Sequence, residues 1–156
     1  MVKNGFYFIK NEFYEIVKDS NLKDNKDQNR PFYYCFCEED EKRHIYWMIP
    51  LSSRILKYKR ILEIRKSLNK PLDGIYICEL PNNKESVFLI QDMFPITEKY
   101  IDREYTLNGN HLILSKNEFV LAIDSKAKTV KSLIEKGIKL TPTSPNIKSI
   151  LEKLNQ

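Results

Sequence analysis

The stretch Phe32–Leu51, FYYCFCEEDEKRHIYWMIPL, decides the fold. Two aromatic and β-branched runs, "FYYCFC" and "HIYWMIPL", flank the charged "EEDEKR", a strand–turn–strand signature. Pairing outward from a turn at Glu39 to Lys42 makes opposing residue numbers sum to about 81, within two. Position 50 then faces position 31, and Ser52 and Ser53 fall opposite Asn29 and Arg30. The hairpin is thus expected to carry a cation to a pair of adjacent hydroxyls.

Downstream, "SSRILKYKRILEIRKSLNK" places Tyr58, Ile61, Leu62, Ile64 and Leu68 at helical intervals, which predicts a helix starting at about Ser53. "GIYICEL" and "VFLIQDMFPI" around the turn-rich "PNNKES" predict a second hairpin. "KYIDREYTLNGNHLIL" fits a short strand or irregular cover. "FVLAIDSKAKTVKSLIEKG" reads as a long amphipathic helix closed by Gly137 as its C′ residue. In "SPNIKSILEKL" Ser144 is the expected N-cap with Pro145 at the first helical position. Upstream, "GFYFIK" predicts a first strand, "NEFYEIVKD" a helix capped by Asn11, and "SNLKDNKDQNRP" a loop. Consecutive hairpins with helices outside argue for an α+β fold built on a small, strongly curved antiparallel sheet or half-open barrel.

The 156 residues suit a single domain spanning 1–156. With 42% hydrophobic and 30% charged residues the composition is globular. The 26 Lys and Arg against 21 Asp and Glu give a net charge of +5. With a pI near 9.0, that balance suits a polyanionic partner as well as an ordinary basic protein. No apolar run approaches the roughly 18 residues of a membrane span, and "MVKNGFYFIKNEFYEIV" has no signal-peptide core, so the chain reads as cytoplasmic, with no membrane contact. Cys35, Cys37 and Cys78 lie in apolar segments and lack the second Cys or His pair of a zinc site, which suits structural thiols.

The segment from Ser52 to Lys70 carries Arg54, Lys57, Lys59, Arg60, Arg65, Lys66 and Lys70 against a single acid, Glu63. Such a run fits a solvated helix face. It also fits RNA phosphates, with Tyr and Phe rings nearby for bases to stack on. Ser53 fits a helix cap, and it equally fits the mouth of an anion site at a helix start. His44 lies eight residues from Ser52, roughly 26 Å along a strand, and reads as a surface histidine. His111 reads as a polar strand start. Glu38, Glu39, Asp40 and Glu41 form an exposed turn rather than a metal site, and no Gly-rich phosphate loop is present, so no metal or cofactor is expected.

In "IPLSSRILKYKR", "VFLIQDMFPIT" and "FVLAIDSKAKTVKSLIEKG" the chain resembles the toxins of type III toxin–antitoxin systems, the ToxN/AbiQ and CptIN kind. The Pro-Leu-Ser-Ser element after an apolar strand is the specific part. The resemblance implies a phage-resistance endoribonuclease with a small MazF/Kid-like barrel that cuts RNA without a metal. Attack of the ribose 2′-OH on its own phosphate would leave 2′,3′-cyclic phosphate and 5′-OH ends. It implies partners too: cellular RNA substrates, and a small structured, pseudoknot-like RNA antitoxin that the toxin cuts from a repeated precursor and that holds it inactive. With two ends to each RNA and more than one basic protein face, a closed assembly of proteins and RNAs is expected.

The family's key hydroxyl carries over to Ser53, its neighbour to Ser52, and its basic residue before the first hairpin to Arg30 in place of lysine. The family lysine two residues after the key serine is Ile55 here, which leaves Arg54 or Lys57 to supply that charge. An early family tyrosine falls on Phe13, with Tyr14 adjacent and Tyr7 on the first strand; Tyr7 and Tyr14 join the cations of the basic segment as expected RNA contacts. The same basic surface is also compatible with a non-catalytic RNA-binding module or a protein-interaction adaptor.

Overall fold

The computed structural model describes residues 1–24 and 30–156. The central hairpin pairs β2 (Phe32–Asp40) with β3 (Arg43–Ser52) across a tight turn at Glu41 and Lys42. The register runs from Asp40↔Arg43 to Phe36↔Trp47, then shifts at Cys35 and continues from Tyr34↔Met48 to Phe32↔Pro50. Opposing numbers therefore sum to 83 near the turn and 82 beyond it, inside the expected range. The extra residue is a β-bulge, which bends and twists the strand it interrupts.

The ladder with β2 stops at Pro50. Past it, β3 changes partner: Leu51 pairs with Phe88 and Ser52 with Val87 of β5 (Glu85–Phe88), itself the second strand of the hairpin begun by β4 (Tyr76–Glu79). Ser52 is thus fixed by the second hairpin, not the first, and Asn29, its expected neighbour, lies outside the described residues. "VFLIQDMFPI" is also not one strand. A single 3-10 turn at Ile90–Asp92 breaks it, and β6 (Phe94–Ile96) returns to pair with the middle of β3. Two neighbours on one edge need a corner between them, and the turn supplies it.

On the other side of β2 stand β1 (Phe6–Ile9) and then β7 (Ile101–Glu104), giving an antiparallel sheet in the order β4-β5-β3-β2-β1-β7 that does not close. A small hairpin of β8 (Thr106–Leu107) and β9 (Asn110–His111) lies apart from it. The described helices are α1 (Asn11–Val17), α2 (Ile55–Ser67), α3 (Asn117–Glu135) and α4 (Ile147–Leu154). The architecture is the expected α+β one, a curved open antiparallel sheet with helices outside. No described helix is long and apolar enough to cross a membrane.

The aromatic residues of the sequence are mostly core. Trp47, Tyr33, Phe6, Phe13, Phe32, Phe88 and Phe94 are fully buried, and rings such as Phe6 and Tyr33 or Phe13 and Phe94 meet at 5.3 and 5.7 Å. Aromatic pairs at this spacing add to area burial. Helix α3 ends as its sequence requires: Gly137, at φ +75°, donates to Ile134 and the next N–H, of Ile138, to Leu133, the paired bonds of a Schellman cap.

The N-termini depart from expectation. Lys10, not Asn11, is the N-cap of α1. The cap of α4 is Asn146, whose side chain accepts from the Ser149 N–H, while Ser144 is buried two residues earlier with its hydroxyl donating to the Gln91 carbonyl. In each case the chain must first satisfy a tertiary contact before the helix can begin. Cys35 and Cys78 are buried free thiols and Cys37 is half-buried. Burial pushes the Cys78 thiol up to about 12 and, with Asp124 alongside, pushes Cys35 higher still, so neither is a reactive thiolate.

Candidate RNA-cleavage site

Between the end of β3 and the start of α2 the chain makes a two-residue step. The Ser52 hydroxyl accepts from the Arg54 N–H at 3.2 Å, and the Ser53 carbonyl accepts from the Ile55 N–H at 2.9 Å. The N-cap of α2 is Arg54, with no side-chain cap. Ser53 therefore does not cap the helix: its side chain is exposed and makes no hydrogen bond among the described residues. Tyr58 is the next N–H bonded back, to the Arg54 carbonyl, which leaves the N–H groups of Leu56 and Lys57 open. An uncapped helix start with free donors and a positive dipole end favours an anion. Ser52 holds the turn, and Ser53 stands free at that start.

Cations gather around it. Arg54, Lys57 and Arg60 are exposed on the first turns of α2, and the Lys57 ammonium lies 5.3 Å from the centre of the Tyr58 ring. Lys59 is drawn aside to Glu85 at 3.6 Å. Arg65 is half-buried and donates to the Gln91 side-chain oxygen at 3.0 Å, so it ties α2 to the 3-10 turn. Lys66 and Lys70 are exposed at the far end. Thirteen residues of helix put that end roughly 20 Å from Ser53.

Arg30 is half-buried just ahead of β2, and no ladder carries it to Ser52 or Ser53. Its positive charge acts on the Tyr14 hydroxyl from one side and on the Tyr58 hydroxyl from the other, together with Arg54 in the latter case. Tyr14 is half-buried, with its hydroxyl buried and unpartnered; burial first, and Asp24 second, hold that phenol far above its ordinary range. Tyr7 stands apart. It is buried on β1, accepts from the Val2 N–H and meets the His111 ring edge-on at 4.8 Å, so it offers no face to a nucleobase. Tyr7 was expected as an RNA contact from the family resemblance alone, and His111 of the β8–β9 hairpin packs against its ring.

Asp92 is a residue the sequence reading did not single out. It ends the 3-10 turn, is 5% exposed, and has one carboxylate oxygen with no hydrogen-bond partner among the described residues. Burial pushes its pKa up to about 6, against the pull of Lys23 and Arg65. Its charge also acts on Tyr58. The available signal was a lone acid inside an apolar run.

His44 is exposed beside Glu39 at the turn end of β3, and His111 is held at 3.0 Å from the Phe6 carbonyl, so neither histidine joins the site. No group of three or more His, Cys, Asp or Glu side chains among the described residues is arranged to hold a metal ion. A cavity of about 630 Å³ lies elsewhere, between α3, α4 and the sheet, lined by Trp47, Met93, Ile134, Ile147 and Leu151. Of the ammonium groups that line it, Lys131 is held by Glu38 and Glu135 and by the Trp47 ring, while Lys139 and Lys148 are exposed. The Ser144 hydroxyl that lines it is taken up by the Gln91 carbonyl, whereas the Ser53 side chain is exposed at the start of α2.

Fold and site together define a small α+β protein in which an open sheet delivers two hydroxyls to the start of a basic helix. A solved structure with this fold is that of AbiQ, a lactococcal anti-phage endoribonuclease belonging to the type III toxin–antitoxin system. The TM-score is 0.72 over 99% of this chain and 97% of that one, at 13% sequence identity. The likeness establishes an AbiQ-like fold. No family model and no curated protein sequence matches the chain.

Proposed function

We propose that this chain is a single-domain cytoplasmic endoribonuclease toxin of the type III kind, working at the Ser53 end of α2. The observation that carries the reading is the exposed Ser53 hydroxyl beside the open N–H groups of Leu56 and Lys57, with Arg54 and Lys57 on the same first turn of α2. The AbiQ-like fold supports it. RNA brings its own nucleophile: the 2′-oxygen bonds to phosphorus as the bond from phosphorus to the 5′-oxygen breaks. The 2′-OH loses a proton, the 5′-oxygen gains one, and no water is consumed. The protein has to hold the ribose and phosphate in line and balance the charge that grows on the phosphate oxygens. Ser53 and the helix donors suit the first task, and the guanidinium and ammonium groups the second.

The same surface suits a folded RNA that the protein cuts from its precursor and that then blocks the groove, in a closed assembly of proteins and RNAs. A site made of cations and hydroxyls has no place for a divalent ion, so cleavage is expected to proceed undiminished in excess EDTA. The test is to incubate the purified protein with RNA under those conditions and to probe the new ends. A kinase should label the 5′ ends directly, and acid treatment should open a 2′,3′-cyclic phosphate. Cleavage that needs added magnesium or manganese, or that leaves 5′-phosphates, overturns the mechanism. Binding without cleavage leaves an RNA-binding module.

A further inference from the structure

Protein interiors pack as densely as organic crystals, so a space far larger than a water molecule needs walls that resist collapse. The cavity of about 630 Å³ between α3, α4 and the sheet has such walls. The loop that joins the two helices is pinned at its start, where the Gly137 and Ile138 N–H groups donate to the Ile134 and Leu133 carbonyls. Farther on, the Ser144 hydroxyl donates to the Gln91 carbonyl and accepts from the Thr141 N–H, each at 3.2 Å. Both ends of α4 are tied down as well. The Asn146 N–H donates to the Asp19 carboxylate, and the Leu154 carbonyl accepts from Arg43. Hydrogen bonds at the edges, not side chains filling the middle, therefore set the spacing of loop and helix from α3 and the sheet.

The surface so framed is mostly apolar. Its buried part is Trp47, Met93 and Ile147; Ile134 and Leu151 are half-buried, and Ile138 is 48% exposed. The polar groups beside the buried part are already engaged. The Trp47 indole N–H donates to Glu38 at 3.1 Å, Lys131 pairs with Glu38 and Glu135, and the Ser144 hydroxyl is bonded as above. An ordered water needs two to four polar partners, and it finds few here. An apolar group that displaces such poorly held water gains affinity.

The lining also selects among apolar molecules. Trp47 is 1% exposed and stacks on Phe36 at 5.8 Å, so it offers no open face to a flat ring, and the other apolar walls are aliphatic apart from Met93. That favours an alkyl chain. Lys131, Lys139 and Lys148 stand against Glu38, Glu135 and Glu152, so the charges of the lining cancel and favour neither an anion nor a cation. The exposed amides of Asn146 and Asn155 can bond an uncharged oxygen.

We propose that this cavity is a binding site for an uncharged aliphatic molecule, an alkyl chain with a neutral oxygen at one end. Its volume lies within the roughly 300–1,000 Å³ of small-molecule pockets. The site is separate from the start of α2 and does not depend on whether the chain cleaves RNA.

The experiment titrates the full chain with 1-octanol, octanoate and octylammonium at pH 7. Calorimetry reads affinity, and emission from Trp47, the chain's single tryptophan, reads place. Octanol is expected to bind one to one with a Kd of about 0.5 mM or tighter, a modest efficiency for so few atoms. It should shift the Trp47 emission and raise Tm as its concentration passes Kd. Octanoate and octylammonium should bind at least fivefold more weakly. Ile138→Asp should weaken octanol binding at least tenfold. Leu121→Asp, at a 58% exposed position of α3 outside the cavity, should change it by less than twofold. Absence of saturable octanol binding overturns the proposal, and so does equal weakening by Ile138→Asp and Leu121→Asp, the mark of non-specific adsorption. A charged analogue that binds as tightly as octanol overturns the assigned ligand class. If Ile138→Asp does not fold, Leu140→Asn on the same lining takes its place, and octanol affinity within twofold of wild type there also overturns the proposal.

Discussion

Helix α3 turns Ile123, Ala127 and Val130, all fully buried, to the main core, whereas α2 buries only Tyr58. Around Tyr58 a small separate cluster forms from Ile75, Val87 and Leu89, with Ile55, Ile61 and Leu62 partly covered at its rim. Leu56, Ile64 and Leu68 are left exposed, Leu56 at 83%. Packing therefore dictates the sequence of α3 far more than that of α2. A helix free of core duty could carry mixed charge, which would help it through i,i+4 pairs. Instead α2 and its exit collect like charges, such as Lys66 and Lys70 four residues apart, which repel. The basic face of α2 is thus not a by-product of folding, and the anionic partner proposed above would account for it.

The largest effect that separates the two helices should come from Ser53, at the head of α2. Ser53→Ala is expected to lower single-turnover RNA cleavage at least 100-fold, the scale seen when one transition-state donor is lost. Because Ser53 is exposed and caps nothing, stability should change by no more than about 0.5 kcal/mol. The pair of measurements is a cleavage time course and a thermal melt. A wild-type rate in the variant would remove Ser53 from the chemistry and leave α2 as a binding surface only.

Next in size is the cost of losing core contacts. Ile123→Ala should destabilise the protein by about 2–5 kcal/mol, since a fully buried isoleucine leaves a cavity behind. Leu56→Ala, on the exposed side of α2, should stay within about 0.5 kcal/mol. Denaturant unfolding of both variants reads the contrast directly. Equal losses would mean that α2 is a structural element after all.

The same contrast explains what was legible in the sequence. The hairpin register was readable because alternation and a charged turn fix it, and the bulge at Cys35 moved it by only one residue. The long helix and its Gly137 cap were readable because their signals are local. The place of Ser52 was not, because it depends on a change of pairing partner at Pro50 that no local pattern announces. Arg30 was expected opposite the hydroxyls through a ladder, but the ladder stops at Phe32 and Pro50 and leaves Arg30 in the lead-in to β2. Ser53 had been balanced between cap and site, and the cap at Arg54 decides against the first. Tyr7 was misplaced because cover from β8 and β9, distant in sequence, buries it. Asp92 showed in the sequence only as a lone acid in an apolar run, because burial, not identity, makes it unusual.

The smallest expected effect tests whether the charge of α2, rather than charge in general, holds RNA. Lys57→Glu with Arg60→Glu is to be compared with Lys128→Glu on α3 and Lys136→Glu at its C-cap, all four residues being exposed. Each pair changes the net charge by the same amount, from +5 to +1, so any difference is one of place. A long-range effect of net charge would weaken RNA binding alike in both and fade within a Debye length of about 8 Å at physiological salt. Direct phosphate contact behaves differently. Each lost contact to single-stranded RNA removes about 0.7 from the slope of log affinity against log salt. The α2 pair should therefore flatten that slope by about one to two and cost roughly tenfold or more in affinity at moderate salt. The α3 pair should leave the slope nearly unchanged. Filter binding of a non-cleavable RNA across a salt series gives both numbers. Equal slopes in the two variants would show that RNA does not lie along α2, and the cations there would then have to be explained by an acidic protein partner.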